Sequence, residues 1–333
     1  MVSNTNTTCN FHKISVAPMM DCTDKHFRML MRQITSQALL YTEMIVAQSL
    51  YFSENKEKFL DFNIEEHPIS IQFGGDEPKF LSEAAKLAQE WGYDEINFNV
   101  GCPSPRVSSG NFGASLMNSP HKVAKCIESL KKNCDLPITI KHRIGVDSND
   151  KFEMLNSFVR EISAAGAERF IVHARKAILH GLSPKENRTI PPLRYDIVEK
   201  LKKQNPNLFI EINGGFTNIQ ECKTALTKFD GVMIGRSAYK HPLKWLSIDE
   251  TFYRKQNPSK KTSTIIFNLI PYIEKCLIKN GSTWPICKHL INLIEGIPRA
   301  KSLRHQITTK SISKELTIKD IVELTNEIQN IGY

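Results

Sequence analysis

The sequence contains no apolar run that approaches the roughly 20 residues needed to span a bilayer. Its first ten residues are polar and lack the basic-then-apolar order of a secretory signal peptide. We therefore expect a cytoplasmic protein without a membrane partner. Nothing in the sequence indicates an oligomer, and a monomer is expected.

The cysteines are also uninformative as a set, because none of the eight forms a CxxC pair and no histidine pair has zinc-finger spacing. We expect no metal site, and disulfides are not expected in a reducing cytosol. Most of these cysteines fit the role of small buried apolar residues. A special role for any one of them has to come from its local context.

A glycine-rich dinucleotide fingerprint is missing after the first apolar run, where Pro18-Met19-Met20-Asp21 stands instead. Segments of helical periodicity, such as 79–91 and 121–132, separate eight short apolar runs. The runs cover residues 15–19, 39–43, 69–73, 95–100, 138–142, 169–173, 209–213 and 231–234. Strand then helix, repeated eight times without that fingerprint, predicts a closed (β/α)8 TIM barrel.

The alternation of predicted strands and helices ends after Tyr239. A polar connector at 257–261 precedes helical stretches at 262–279, 284–295 and 317–331. We expect a barrel domain over residues 1–245 and a small all-helical domain over 255–333. Residues 241–333 hold 14 Lys plus Arg against 8 Asp plus Glu, within a net charge of +9. This excess favours a polyanionic partner such as nucleic acid, although a generally lysine-rich composition would produce it too.

Glycines close the last two predicted strands. Gly214 and Gly215 follow strand seven, and Gly235-Arg236 follows strand eight. Glycines let backbone N–H groups approach an anion closely, and barrel loops after strands seven and eight commonly bind phosphate. The pair of motifs predicts a site for the phosphate of a flavin mononucleotide, whereas either motif alone is equally typical of an ordinary turn.

Three polar side chains end other predicted strands. Lys141 could place a positive charge near the pyrimidine edge of a flavin, and a buried lysine is rarely structural. Gln72 could bind the same edge or form a capping contact, and His173 could serve the flavin or be a satisfied core histidine.

Cys102 differs from the other cysteines because it lies between Gly101 and Pro103, in the loop that leaves strand four. Active sites of barrel enzymes form at these carboxyl ends. A thiol there can act as a nucleophile or as a general acid. Beside a flavin, we expect the flavin to supply a hydride and the thiol to supply a proton.

Six short motifs occur in order along the chain: Val16–Asp21, Asn99–Pro103, Lys141–Arg143, His173–Arg175, Asn213–Gly215 and Gly235–Arg236. Together they resemble the tRNA-dihydrouridine synthases over residues 14–245, and the stretch 296–304 is similar as well. The segment 173–193 looks like the bacterial A subgroup of that family, which reduces uridines 20 and 20a in the tRNA D-loop.

The resemblance implies an FMN barrel with a C-terminal helical domain, and NADPH (or NADH) as the reductant. Hydride would pass from reduced FMN to C6 of the uracil, and Cys102 would protonate C5. The residues implied as FMN contacts are Pro18, Met19, Met20, Gln72, Lys141, His173, Asn213, Gly214, Gly215, Gly235 and Arg236. The residues implied as tRNA contacts are Asn99, Lys185, Arg188, Lys301 and Arg304, the last two in a segment less arginine-rich than the family pattern.

Two alternatives remain at this point. One is an FMN barrel enzyme that acts on a free pyrimidine, for which a basic helical domain has no use. The other is a non-catalytic RNA-binding protein on a barrel scaffold, which would not need the flavin-type residues.

Overall fold

Eight parallel strands close into a barrel in their order along the chain in the computed structural model. The structure describes residues 11–333 except Arg106, Ser108, Ser109 and Gly281, so the polar N-terminus with Cys9 lies outside the described residues. The strands are β1 (Ile14–Val16), β2 (Leu39–Val46), β3 (Ile69–Gly74), β4 (Glu95–Val100), β5 (Ile138–Arg143), β6 (Arg169–His173), β7 (Phe209–Asn213) and β8 (Gly231–Ile234).

Helices cover the outside of the barrel and form the C-terminal region. Those of the barrel part are α1 (Lys25–Arg32), α2 (Ala47–Phe52), α3 (Glu57–Leu60), α4 (Pro78–Glu90), α5 (Pro120–Lys132), α6 (Phe152–Ala164), α7 (Tyr195–Gln204), α8 (Ile219–Ala225) and α9 (Arg236–Lys240). Those of the C-terminal region are α10 (Thr262–Asn280), α11 (Trp284–Leu290), α12 (Ala300–Ile312) and α13 (Ile318–Asn330).

Side chains alternate along each strand between the helix layer and the barrel axis. In β4, Ile96, Phe98 and Val100 belong to the apolar core shared with the helices. Glu95 and Asn97 alternate with them and bond to inward side chains of β3 and β5. The predicted TIM barrel is therefore confirmed, and its interior is partly polar.

Two predicted strands have different bounds in the structure. The predicted strand 15–19 ends early, at Val16, because the last ladder bond comes from the Ala17 amide to Ile234 (2.8 Å) and Pro18 has no N–H to donate. The predicted strand 39–43 continues to Val46, with a register shift between Tyr41 and Met44.

The C-terminal region contains a helix that the sequence did not reveal. In α12 only Leu303, Ile307 and Ser311 are buried, so its apolar stripe is too thin to read from the sequence. The stretch predicted as helix 284–295 ends at Leu290 and continues as a 3₁₀ turn. Helix α13 begins where expected, because Thr317 and Asp320 form a capping box.

The C-terminal helices pack directly on α1. Asp24, which caps α1, accepts from Nε2 of His289 at 2.8 Å and pairs with Nζ of Lys288 at 2.7 Å. Two residues further along, in the first turn of α1, Nδ1 of His26 lies 2.8 Å from the Tyr272 hydroxyl. Burial alone would raise the pKa of Asp24, but the bonds from His289 and Lys288 lower it below its ordinary value.

The barrel and the C-terminal helices also share one contiguous cluster of buried apolar side chains. Across the described part of the chain, every helix is too short or too polar to cross a membrane.

Candidate functional site

Cys102 lies two residues beyond the end of β4, on the face of the barrel where all eight strands end. Its backbone N–H and that of Gly101 donate to Oδ1 of Asn99, at 3.0 and 3.1 Å. The chain then returns to this point, because the Ala114 amide donates to the Cys102 carbonyl at 2.9 Å. Gly113 allows that return: its φ is +72°, and a Cβ there would lie 2.7 Å from the Cys102 oxygen.

The Cys102 thiol is partly buried. Burial raises its pKa above the ordinary value, and the nearby cations Arg143 and Lys141 only partly oppose this effect. The thiol therefore stays protonated at neutral pH. A protonated thiol is suited to donating a proton, whereas a nucleophile would require the thiolate.

A chain of hydrogen bonds leads from the Cys102 loop into the barrel. Nδ2 of Asn99 donates to Oε1 of Gln72 at 2.9 Å, and Nε2 of Gln72 donates to Oδ1 of Asn97 at 2.7 Å. Asn97 continues the chain through Thr139 Oγ1 (2.9 Å), which donates to Glu95 (2.9 Å). Gln72, predicted as a flavin contact, and Asn99, predicted as a tRNA contact, are thus bonded to each other.

Lys141 and His173 end neighbouring strands, β5 and β6, and point into the barrel mouth. Nζ of Lys141 donates to Oδ1 of Asn213 at 3.1 Å, and Nδ2 of Asn213 donates to the Met233 carbonyl at 2.9 Å. Burial, reinforced by Arg143, lowers the pKa of Lys141 to about 8. Burial and the same cations lower the pKa of His173 well below its ordinary value, so His173 is neutral at pH 7.

The glycines after β7 lie against His173. A Cβ at Gly214 (φ +118°) would lie 2.9 Å from Cδ2 of His173 and 2.9 Å from Leu193. A Cβ at Gly215 (φ +87°) would lie 2.7 Å from Leu193. The positive φ and the close neighbours therefore both favour glycine at either position. The anion-binding role expected of these glycines stays a prediction. Gly235, by contrast, faces open space, where a Cβ would meet no atom within 4 Å.

The segment after β1 is held by Thr23. The Met19 amide donates to Thr23 Oγ1 at 3.0 Å, and the Thr23 amide donates back to the Met19 carbonyl at 3.0 Å. Met20 is left 55% exposed at the barrel mouth. Pro18, Met19 and Met20 thus form a fixed turn on the same face as Cys102.

The five residues predicted to contact tRNA lie in three different places. Asn99 is buried in the mouth, whereas Lys185 and Arg188 are exposed on the loop after β6. Lys301 is exposed on α12, and Arg304 is partly buried there, with Nε donating to the Ala300 carbonyl at 3.2 Å. Among the described residues, no hydrogen bond or ion pair joins Lys301 or Arg304 to the β6 loop.

Arg143 and Asn187 belong to the site but received no role from the sequence. Nε of Arg143 donates to the Gly101 carbonyl at 2.9 Å, and Nη1 donates to the carbonyls of Lys176 and Asn187, both at 3.0 Å. Alternation was the available signal, because a strand that points Lys141 inward also points Arg143 inward. Asn187 gave no such signal, since its contacts lie within an irregular loop.

The cations at the mouth lack counter-ions. Lys141, Arg143, Arg175 and Arg236 donate only to amide or peptide oxygens, and in the described part of the chain none pairs with a carboxylate. Unpaired positive charge around a thiol and a neutral imidazole suits an anionic ligand, with a proton donor beside it.

Comparison with known proteins identifies close relatives. The family model described as dihydrouridine synthase (Dus) matches residues 15–329. The tRNA-dihydrouridine(20/20a) synthase of Synechocystis sp. is 48% identical over 91% of this chain and 90% of its own length. The enzyme of the same name from Vibrio cholerae is 45% identical over 89% of this chain and 90% of its own length.

Solved structures share the fold at low identity. A 2-naphthoyl-CoA reductase in complex with 2-naphthoyl-CoA aligns with a TM-score of 0.56 at 11% identity, covering 72% of this chain and 50% of its own. A variant of morphinone reductase in complex with tetrahydroNAD aligns with a TM-score of 0.50 at 11% identity, covering 69% of this chain and 84% of its own. These similarities support the barrel fold.

Proposed function

Because the chain belongs to the dihydrouridine synthase family and is therefore an oxidoreductase, we propose that it reduces uridine in tRNA to dihydrouridine, with FMN as cofactor and Cys102 as proton donor. The observation that carries this proposal is the partly buried thiol of Cys102 at a barrel mouth whose cations have no carboxylate partner among the described residues. The names of the relatives point to uridines 20 and 20a as targets.

The residues at the mouth fit FMN. Its dianionic phosphate matches Gly235 and Arg236, where the glycine faces open space, together with Gly214 and Gly215 at the end of the neighbouring strand β7. The polar edge of its ring matches Lys141, the neutral His173, Gln72 and Asn213, and the turn Pro18–Met20 would pack beside the ring. A positive Lys141 stabilises negative charge on a ring edge.

FMN, when bound and reduced by NADPH or NADH, supplies a hydride to C6 of the uracil. Cys102 donates its thiol proton to C5, and the resulting thiolate recovers a proton from water, so one hydride and one proton saturate the C5–C6 bond. The raised pKa of Cys102 keeps the proton on the thiol until the step, and it makes the resulting thiolate basic enough to recover a proton. Asn99 holds the thiol-bearing loop through two backbone amides.

The target base has to leave the folded tRNA to reach the mouth, at a cost of a few kcal/mol. Lys185 and Arg188, exposed on the β6 loop, are placed to hold RNA phosphates beside the entering base. We propose that Lys301 and Arg304 on α12 contact the tRNA further away, and that residues 255–333 act as the tRNA-binding region beside a catalytic barrel of residues 1–245. A cytoplasmic, monomeric enzyme remains our prediction.

The test is single-turnover reoxidation of the flavin. The purified protein should show a flavin spectrum, NADPH should bleach it, and unmodified tRNA should restore it, with mass spectrometry locating dihydrouridine at positions 20 and 20a. Free uridine is the control and should restore the spectrum far more slowly. Fast reoxidation by a free pyrimidine and none by tRNA would instead identify a small-molecule reductase, and a colourless protein that binds tRNA would identify a non-catalytic RNA-binding barrel.

A further inference from the structure

Arg143 connects two loops of the barrel mouth, the loop after β4 that carries Cys102 and the loop after β6. Its Nε donates to the carbonyl of Gly101, the residue before Cys102, at 2.9 Å. Its Nη1 donates to two carbonyls of the loop after β6, those of Lys176 and Asn187, both at 3.0 Å. One planar group therefore holds the Cys102 loop on one side and the β6 loop on the other.

Burying the guanidinium of Arg143 between these two loops costs free energy. Arg143 is only 3% exposed and pairs with no carboxylate among the described residues. Burial lowers its pKa to about 10, so it still carries its charge at neutral pH. A buried charge without a counter-ion destabilises a fold. The hydrogen bonds from Arg143 to backbone carbonyls are therefore the contribution that offsets this cost.

Asn187 makes the β6 loop a rigid partner for Arg143. Its Oδ1 accepts from the Ile178 amide at 2.8 Å, and its Nδ2 donates to the Ile178 carbonyl at 2.8 Å and the Leu182 carbonyl at 3.3 Å. The segment closed in this way contains Lys185, and Arg188 follows it directly. The Arg188 carbonyl in turn accepts from Nη2 of Arg236 at 3.1 Å.

We propose that Arg143 is a positioning residue that fixes the Cys102 loop against the β6 loop, so that the surface carrying Lys185 and Arg188 and the proton donor move as one unit. The inference rests on the proposed function, in which Cys102 donates the proton and the β6 loop meets RNA. An arginine suits this role because its Nε and Nη1 lie at a fixed spacing in one plane and face different loops, whereas an ammonium donates from a single atom on a flexible stem.

The deciding variant is Arg143→Lys, which keeps the charge and loses the fork. Reoxidation of the reduced flavin by tRNA should slow by about 100-fold, the usual effect of misplacing a reacting group by an ångström. NADPH-driven flavin reduction should be unchanged. Independently of activity, Cys102 should be alkylated several-fold faster by iodoacetamide, measured by peptide mass spectrometry, because its loop is no longer held.

Arg32→Lys is the matched control. Arg32 is also a buried arginine, and within the described part of the chain it donates only to backbone carbonyls, those of Thr35, Ala38, Glu66 and Pro68. It lies at the opposite end of the barrel. This variant should lower the melting temperature as much as Arg143→Lys or more. It should leave both the reoxidation rate and the alkylation rate of Cys102 at wild-type values.

Asn187→Ser provides a second route if Arg143→Lys does not fold. It loosens the β6 loop without touching the Cys102 loop, so faster alkylation of Cys102 would show that the two loops are linked. Wild-type alkylation in both variants, or equal losses of activity in Arg143→Lys and Arg32→Lys, would overturn the proposal. A wild-type protein that makes no dihydrouridine would defeat the proposed function instead, and the alkylation rates would still decide whether Arg143 positions Cys102.

Discussion

At the N-terminal end of the barrel the buried guanidinium of Arg169 lies between two carboxylates, whereas at the C-terminal end Lys141 and Arg143 face none among the described residues. Nη2 of Arg169 is 2.6 Å from Glu211, and Nη1 is 3.4 Å from Glu95. Burial alone would lower the pKa of Arg169, but Glu211 and Glu95 raise it above its ordinary value.

The remaining oxygens of the N-terminal cluster are satisfied too. Glu95 accepts from the hydroxyls of Tyr41 (2.8 Å), Ser70 (2.9 Å) and Thr139 (2.9 Å), and Glu211 accepts from Ser15 (2.6 Å). The rings of Phe11 and Phe209 lie 5.6 and 5.3 Å from the Arg169 guanidinium carbon. At one end of the barrel the buried cation is thus paired with carboxylates of the chain itself, whereas the cations at the other end have no such partner among the described residues.

The strongest test of this contrast is Cys102→Ala, which removes the proton donor from the C-terminal end. Dihydrouridine formation should fall by about 100- to 10,000-fold, the range for loss of a general acid. Flavin content and tRNA affinity should remain, since the hydrogen bond that the thiol accepts from the Ser104 backbone lies within its own loop. Single-turnover reoxidation measures the rate, and a variant with wild-type activity would remove Cys102 from the chemistry.

Arg169→Met should destabilise the N-terminal end of the barrel. It leaves Glu95 and Glu211 buried without their counter-ion, so the free energy of unfolding should fall by about 3–5 kcal/mol. Urea denaturation measures this loss. Molecules that remain folded should reduce tRNA at the wild-type rate, and a selective loss of activity at full stability would mean that the two ends are not separate.

Lys141→Met makes the complementary change at the mouth. FMN affinity should fall by about tenfold, because a cation beside the proposed ring edge is lost. The flavin-free protein should be as stable as the wild type or more so, since an uncompensated charge is removed. Fluorescence titration with FMN measures the affinity. Lys202→Met, which removes a lysine paired with Asp230 on the outside of the barrel, should leave it unchanged.

Lys141 also predicts a dependence on pH. Its pKa is lowered to about 8 in the folded protein from 10.5, so between these values the unfolded chain binds more protons and stability rises with pH. The stabilising effect of Lys141→Met in the flavin-free protein should therefore be full below about pH 8 and shrink by about 1–3 kcal/mol toward pH 10. Urea denaturation at pH 7.5 and 9.5 tests this, and a constant difference would contradict it.

The smallest effect is expected outside the mouth. Lys301→Glu combined with Arg304→Glu should weaken tRNA binding about fivefold at moderate salt and reduce its salt dependence. NADPH-driven flavin reduction should not change. Filter binding over a salt series measures the affinity, and an unaltered affinity would remove α12 from the tRNA surface.

The sequence predicted the fold well where periodicity is strong. Eight apolar runs gave the barrel, whereas the inward polar row of Glu95, Asn97 and Asn99 in β4 was not predicted. Helix α12 was missed because Leu303 and Ile307 alone mark its buried face. The end of β1 was misplaced because an apolar run does not show which amide makes the last ladder bond.

For the site, the sequence located strand ends but not the contacts between them. Cys102, Lys141 and His173 were recognisable from their positions at or near the ends of predicted strands. The bond between Gln72 and Asn99 joins residues 27 positions apart, and the fork of Arg143 joins residues 33 to 44 positions apart. No local pattern encodes such contacts.

The contact between Asp24 and the pair Lys288 and His289 limits how this protein can be recombined. Asp24 caps the helix that follows the Pro18–Met20 turn, and its partners come from α11. A barrel cut after residue 245 would leave this carboxylate and the apolar face of α1 without their cover. A chimera that takes its C-terminal helices from a relative therefore has to bring a lysine and a histidine that meet Asp24, or exchange α1 together with the helices.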